Sequence, residues 1–149
     1  MSNLYPSTVI KLMVTIVDRG KRDKVIEILG QEHIYFHYVC FGLGTASSEI
    51  LDYLGIGEPK KDLVISLLPA EKVLEAQKKL SYELHLEKPG RGIVFTLPLT
   101  GLSGKISQAV CQSCELESGE TDMSSQVKYE LVLAVVNQGY VDQVMDAAK

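Results

Sequence analysis

The chain has 149 residues, 46% of them hydrophobic, a net charge of −4 and three cysteines. That apolar content excludes a disordered chain, and the acidic balance without a basic patch speaks against nucleic acid as a partner. No apolar run approaches the ~20 residues of a membrane span, the N-terminus does not read as a signal peptide, and an odd cysteine count does not suit a secreted disulfide framework. The expectation is a cytoplasmic protein.

Lys11 to Val17 is apolar and β-branched, the pattern of a buried strand. Asp18-Arg19-Gly20 breaks it. Val25, Ile26 and Leu29 then give an apolar stripe at helical spacing over about 21–29, with Asp23 in the first turn and Gly30 as a stop. Tyr35 to Phe41 reads as a second strand running into the turn Gly42-Leu43-Gly44-Thr45.

Residues 45–61 form a long connection. Ser47 or Ser48 suits the cap of a short helix carrying Ile50, Leu51 and Leu54, with Gly55 as its end. Leu63 to Leu68 is a third strand. Pro69 suits the first turn of a helix over about 70–80, which places Val73, Ala76 and Leu80 on one face. Pro89-Gly90-Arg91-Gly92 is a second glycine-flanked turn, and Ile93 to Leu97 a fourth strand. The order β-α-β-β-α-β predicts an α+β, ferredoxin-like fold, an antiparallel sheet with both helices on one face.

Composition shifts after Leu99. Glycines, serines and the acidic group Glu115, Glu117, Glu120 and Asp122 predict a linker over 100–127, with one short strand around 106–110. Tyr129 to Val136 is again strand-like and begins an internal repeat. With Gly20 aligned to Gly139, Met13–Val17 falls on Val132–Val136, Asp18-Arg19-Gly20 on Asn137-Gln138-Gly139, Asp23 on Asp142 and Val25 on Val144. The expected division is a first domain over 1–99, the linker, and the first strand and helix of a second, incomplete copy over 128–149.

Three segments carry a family resemblance: Lys11 to Val17, Phe41-Gly42-Leu43-Gly44, and Gly90-Arg91-Gly92-Ile93-Val94-Phe95-Thr96-Leu97-Pro98. In this order and spacing they resemble the P-II family of nitrogen-regulatory signalling proteins, some of which are tandem repeats. The second segment resembles the turn that opens that family's long T-loop. The third resembles its phosphate-binding B-loop and the strand that follows. The resemblance implies a non-enzymatic, trimeric regulator that binds a small effector, such as ATP, ADP or AMP, in the cleft between subunits. It assigns that effector to Gly42, Leu43, Gly44, Thr45, Gly90, Arg91 and Gly92. It also implies a protein target met through residues 45–61, where Ile50, Leu51, Tyr53 and Leu54 are either a docking group or core. The family's phosphate-binding charges depart from pattern: the B-loop lysine falls on Ile93, the arginine after the T-loop turn falls on Thr45, and the pair of arginines of the family's C-terminal loop is not found. Arg91 and backbone N–H groups are what remain for an anion. The glycines read equally as simple chain turns.

The alternative from a different class is a ferredoxin-like trimeric assembly or metal-tolerance module, as in the CutA-like proteins, without nucleotide. Cys111-Gln112-Ser113-Cys114 has the spacing of half a zinc site, but no second ligand pair accompanies it, so no metal site is assigned. His37 and His85 lack a catalytic partner, and no catalytic constellation is expected.

Overall fold

The computed structural model describes residues 9–44, 60–99, 101–113 and 136–148. The chain divides into two compact units, Met1–Gly119 and Glu120–Lys149.

In the first unit the elements are β1 (Ile10–Asp18), α1 (Arg22–Gln31), β2 (Phe36–Leu43), β3 (Lys60–Pro69), α2 (Ala70–Leu84), β4 (Gly92–Pro98) and α3 (Gly104–Ser113). The strands form one sheet in the order β2-β3-β1-β4, every neighbouring pair antiparallel. This is the expected ferredoxin-like α+β fold. The register sets which side chains share a face. Thr15 pairs with Val64 and with Val94, so odd positions of β1 face the same way as even positions of β3 and β4. That face carries Met13, Val17, Val64 and Leu68, which pack with Val25, Ile28 and Leu29 of α1 and Ala76 and Leu80 of α2. The stripe continues through Leu84, which is why α2 outruns the expected end near residue 80.

Several expectations are corrected. Residues 106–110 are helical, not a strand. Ile106 and Val110 are β-branched, but their i,i+4 spacing puts them on one side of α3, and the Ser103 hydroxyl accepts the Ile106 N–H at 3.4 Å at its start. A helix therefore occupies much of the first half of the expected linker. It lies against β3. Val110 is fully buried yet stands apart from the core beneath α1 and α2, so α3 covers part of the opposite sheet face.

Gly30 does not stop α1. The helix runs to Gln31 and the chain reverses at His33, which takes the left-handed conformation at φ 59°. Pro69 ends β3 and caps α2 from outside instead of joining its first turn. Gly42 and Leu43 are strand, not turn: they pair with Lys61 and Lys60. Gly42 is extended backbone whose missing side chain makes room for Leu63, since a Cβ there would come within 2.9 Å of Leu63 Cδ1.

The second unit is described over 136–148, with one helix, α4 (Val141–Ala147). Gly139 precedes it at φ +95°, as Gly20 precedes α1 at φ +90°.

Candidate functional site

The antiparallel register brings four chain ends to one end of the sheet. Leu43 pairs with Lys60, Lys61 with Asp18, and Val17 with Gly92. Gly42–Gly44 therefore lie at the β2 edge and Gly90–Gly92 at the β4 edge. The two glycine segments are separated within one chain by three strand intervals, about 14 Å at the usual spacing. The structure places them at the same level but does not bring them together.

Each has its own local cause. Gly90 turns the chain at φ +80° with open space around its Cβ position. Gly92, at φ +146°, is demanded by the fold: a Cβ there would lie 2.4 Å from the Ile16 carbonyl oxygen. The close approach that glycine permits is thus to β1. Arg91 is exposed, its backbone N–H bonded to the Lys88 carbonyl at 3.3 Å, and its guanidinium enters no ion pair among the described residues. Ile93, at the family's lysine position, is 54% exposed. Thr45, and the candidate partner group Ile50, Leu51, Tyr53 and Leu54, lie outside the described residues, as does Cys114.

The charge at the β2 end comes from a residue that sequence reasoning did not single out. Arg19 projects from the β1–α1 turn. Its Nε lies 2.8 Å from Oδ1 of Asp62, a fully buried carboxylate, as a charge contact without hydrogen-bond alignment. The other oxygen, Oδ2, accepts the Gly20 N–H at 2.8 Å. Arg19 Nη2 donates to the Lys61 carbonyl at 3.1 Å and reaches the Gly42 carbonyl at 3.5 Å. The guanidinium stacks 4.4 Å above the Phe41 ring, with that of Arg22 5.5 Å from the same ring. Beside it, Lys61 Nζ donates to Asp18 Oδ1 at 2.6 Å, and the Arg19 N–H donates to the Lys60 carbonyl at 3.1 Å. One signal in the sequence points here: Asp62 precedes Val64, Ser66 and Leu68 at alternating positions, so a carboxylate stands in the inward row of a core strand and needs a cation.

Farther along β2, His37 Nδ1 lies 2.9 Å from the hydroxyl of buried Ser66. Burial pushes the His37 pKa below its ordinary value, partly opposed by a hydrogen bond to the Ile34 backbone. Ser66 is fully enclosed, so the pair offers no accessible nucleophile. Among the described residues no group of three or more His, Cys, Asp or Glu side chains could hold a metal ion. No helix among them is long and apolar enough to cross a membrane.

The sheet order, with α1 and α2 on one face, defines a protein of the ferredoxin-like class. The solved structures that share that fold include the following two. The divalent ion tolerance protein CutA1 from Ehrlichia chaffeensis matches with a TM-score of 0.56 at 16% identity, over 74% of this chain and 100% of its own. A DUF3240 family protein from Shewanella baltica OS155 matches with a TM-score of 0.50 at 14% identity, over 64% of this chain and 96% of its own. No family model and no curated protein matches the sequence. At these identities the likeness is one of fold.

Proposed function

We propose that the chain is a P-II-like, non-enzymatic cytoplasmic regulator of nitrogen metabolism. It binds a small anionic effector, an adenine nucleotide, between copies of itself and offers the β2–β3 connection to a protein target. The observation that carries this reading is the position of the two glycine segments at one end of the sheet but on opposite edges. A ligand held by both must lie between two chains. The β2 edge of one copy meeting the β4 edge of the next is a head-to-tail contact, which closes into a ring, here a trimer. The β2 edge supports this contact: Tyr38, Val39, Cys40, Phe41 and Leu43 are all exposed and uncharged. In the cleft Arg91 supplies a guanidinium with no ion-pair partner among the described residues, beside the backbone N–H groups of the Gly90 turn.

Calorimetry of the chain against ATP, ADP, AMP and 2-oxoglutarate tests the reading, together with light scattering for the trimer. Binding of an adenine nucleotide that weakens in R91A is the expected result; no binding to any of the four overturns the effector assignment. A second reading, a ferredoxin-like trimeric assembly or divalent-ion tolerance module without nucleotide, is favoured by the fold shared with CutA1. A trimer silent to nucleotides but responsive to divalent cations supports that alternative.

A further inference from the structure

We propose that Arg19 is a positioning residue: it clamps the mouth of the β2–β3 hairpin and so sets the glycine segment at the end of β2. Its link to ligand affinity rests on the effector reading above; the clamp itself does not.

Arg19 makes its contacts in two directions. Inward, its Nε meets the buried carboxylate of Asp62 at 2.8 Å, a charge contact that holds the guanidinium against the sheet. Outward, Nη2 reaches a carbonyl on each arm of the hairpin, Lys61 on β3 and Gly42 on β2. The ring of Phe41, on the β2 arm, lies under the same group, with Cζ 4.4 Å from its centre. The contacts use separate atoms of one delocalised group, Nε toward Asp62, Nη2 toward the two carbonyls and Cζ over the ring, whereas a lysine ammonium concentrates its charge and donors on a single nitrogen. The two arms leave the sheet here, at Leu43 and Lys60.

The chain contains its own control for a purely local role. The turn Asn137-Gln138-Gly139 repeats the backbone of Asp18-Arg19-Gly20. The Tyr140 N–H bonds to the Asn137 carbonyl at 3.3 Å, as the Lys21 N–H does to the Asp18 carbonyl at 3.1 Å. Val144 N–H bonds to the Tyr140 carbonyl at 3.2 Å, as Val25 N–H does to the Lys21 carbonyl at 3.2 Å. Glycine is left-handed in both, and both helices begin two residues later. Glutamine stands where arginine does, so building the turn and starting the helix do not require Arg19. What is particular to Arg19 is the reach to the hairpin.

The test is amide hydrogen exchange on the intact chain, wild type against R19K and the double variant R19Q/D62N, with thermal melts and calorimetry against ATP and ADP. R19K keeps a positive charge for Asp62 but loses the second nitrogen and the guanidinium over the Phe41 ring. The double variant removes both charges together, leaving no buried carboxylate unpaired. Both are expected to melt cooperatively, with exchange at Phe41–Leu43 and Lys60–Asp62 faster by about tenfold or more and the β1–β4 ladder unchanged. Where the wild type binds nucleotide, R19K weakens it about tenfold. Unchanged exchange at the mouth overturns the proposal, as does a uniform rise across the sheet or failure of R19K to fold, either of which would make Arg19 a general stabiliser. Absence of nucleotide binding in the wild type overturns the effector reading alone, because the exchange pattern still decides the clamp.

Discussion

Two turns in this chain have one backbone and different chemistry. At 18–20 the sequence is Asp-Arg-Gly, at 137–139 Asn-Gln-Gly, and both use a left-handed glycine to enter a helix. In the first, charged side chains leave the turn: Asp18 pairs with Lys61 and Arg19 with Asp62. In the second the corresponding residues are neutral amides, all exposed. The comparison separates two jobs that a single turn would confound. Glycine and the helix start make the geometry; the arginine adds a long-range tie between residues 43 positions apart.

Breaking the tie should cost the most. R19M leaves the Asp62 carboxylate buried with only the Gly20 N–H, and unpaired buried charge is expensive. Because Arg19 itself is 39% exposed, the expected loss is discounted to about 2 kcal/mol, read as a lower midpoint in urea unfolding of the first unit. Q138M, at the matching position, should leave stability within about 0.5 kcal/mol, since Gln138 is exposed. Equal losses at the two positions would erase the distinction.

The shared geometry is tested at the glycines. Gly20→Ala and Gly139→Ala both force a Cβ into the left-handed region in open space, so each should cost roughly 1 kcal/mol, with neither markedly worse. Gly92→Ala is the contrast, because its Cβ would meet a backbone oxygen; circular dichroism melts should rank it well below both.

The smallest expected effect is a pH dependence confined to the first unit, which holds all three histidines. The folded pKa of His37 is lowered by burial, so the unfolded chain takes up a proton first as pH falls below about 6.5. Stability should therefore decline from pH 7 toward pH 5 and level off below the folded pKa. H37Q should flatten that slope in melts across the window; an unchanged slope would assign the dependence to other groups.

The strands and two core helices were legible because their apolar residues repeat at periods that burial on one face imposes. α3 was not, because Ile106 and Val110 suit either period when only a few residues are apolar, and the sheet face that captures the helix comes from distant strands. The Gly90–Gly92 turn was legible as punctuation, whereas the contacts that require glycine at 42 and 92 were not. Gly42 and Gly92 answer to Leu63 and to the Ile16 carbonyl, contacts that exist only once the register is set. The clamp was half hidden for the same reason: Asp62 in the inward row of β3 announces a need for a cation, but only the pairing of Asp18 with Lys61 shows that Arg19 supplies it.

The β2 strand has a consequence for how the chain behaves in solution. Phe36 to Leu43 has no proline, lysine or acidic residue, and Tyr38 and Phe41 are 74% and 62% exposed. The usual safeguards of a free edge, charge and proline, are missing from it. By these rules the edge is open to misdirected pairing and precipitation. A single lysine at Tyr38 should raise the soluble fraction on expression and, if the proposed ring forms, weaken it.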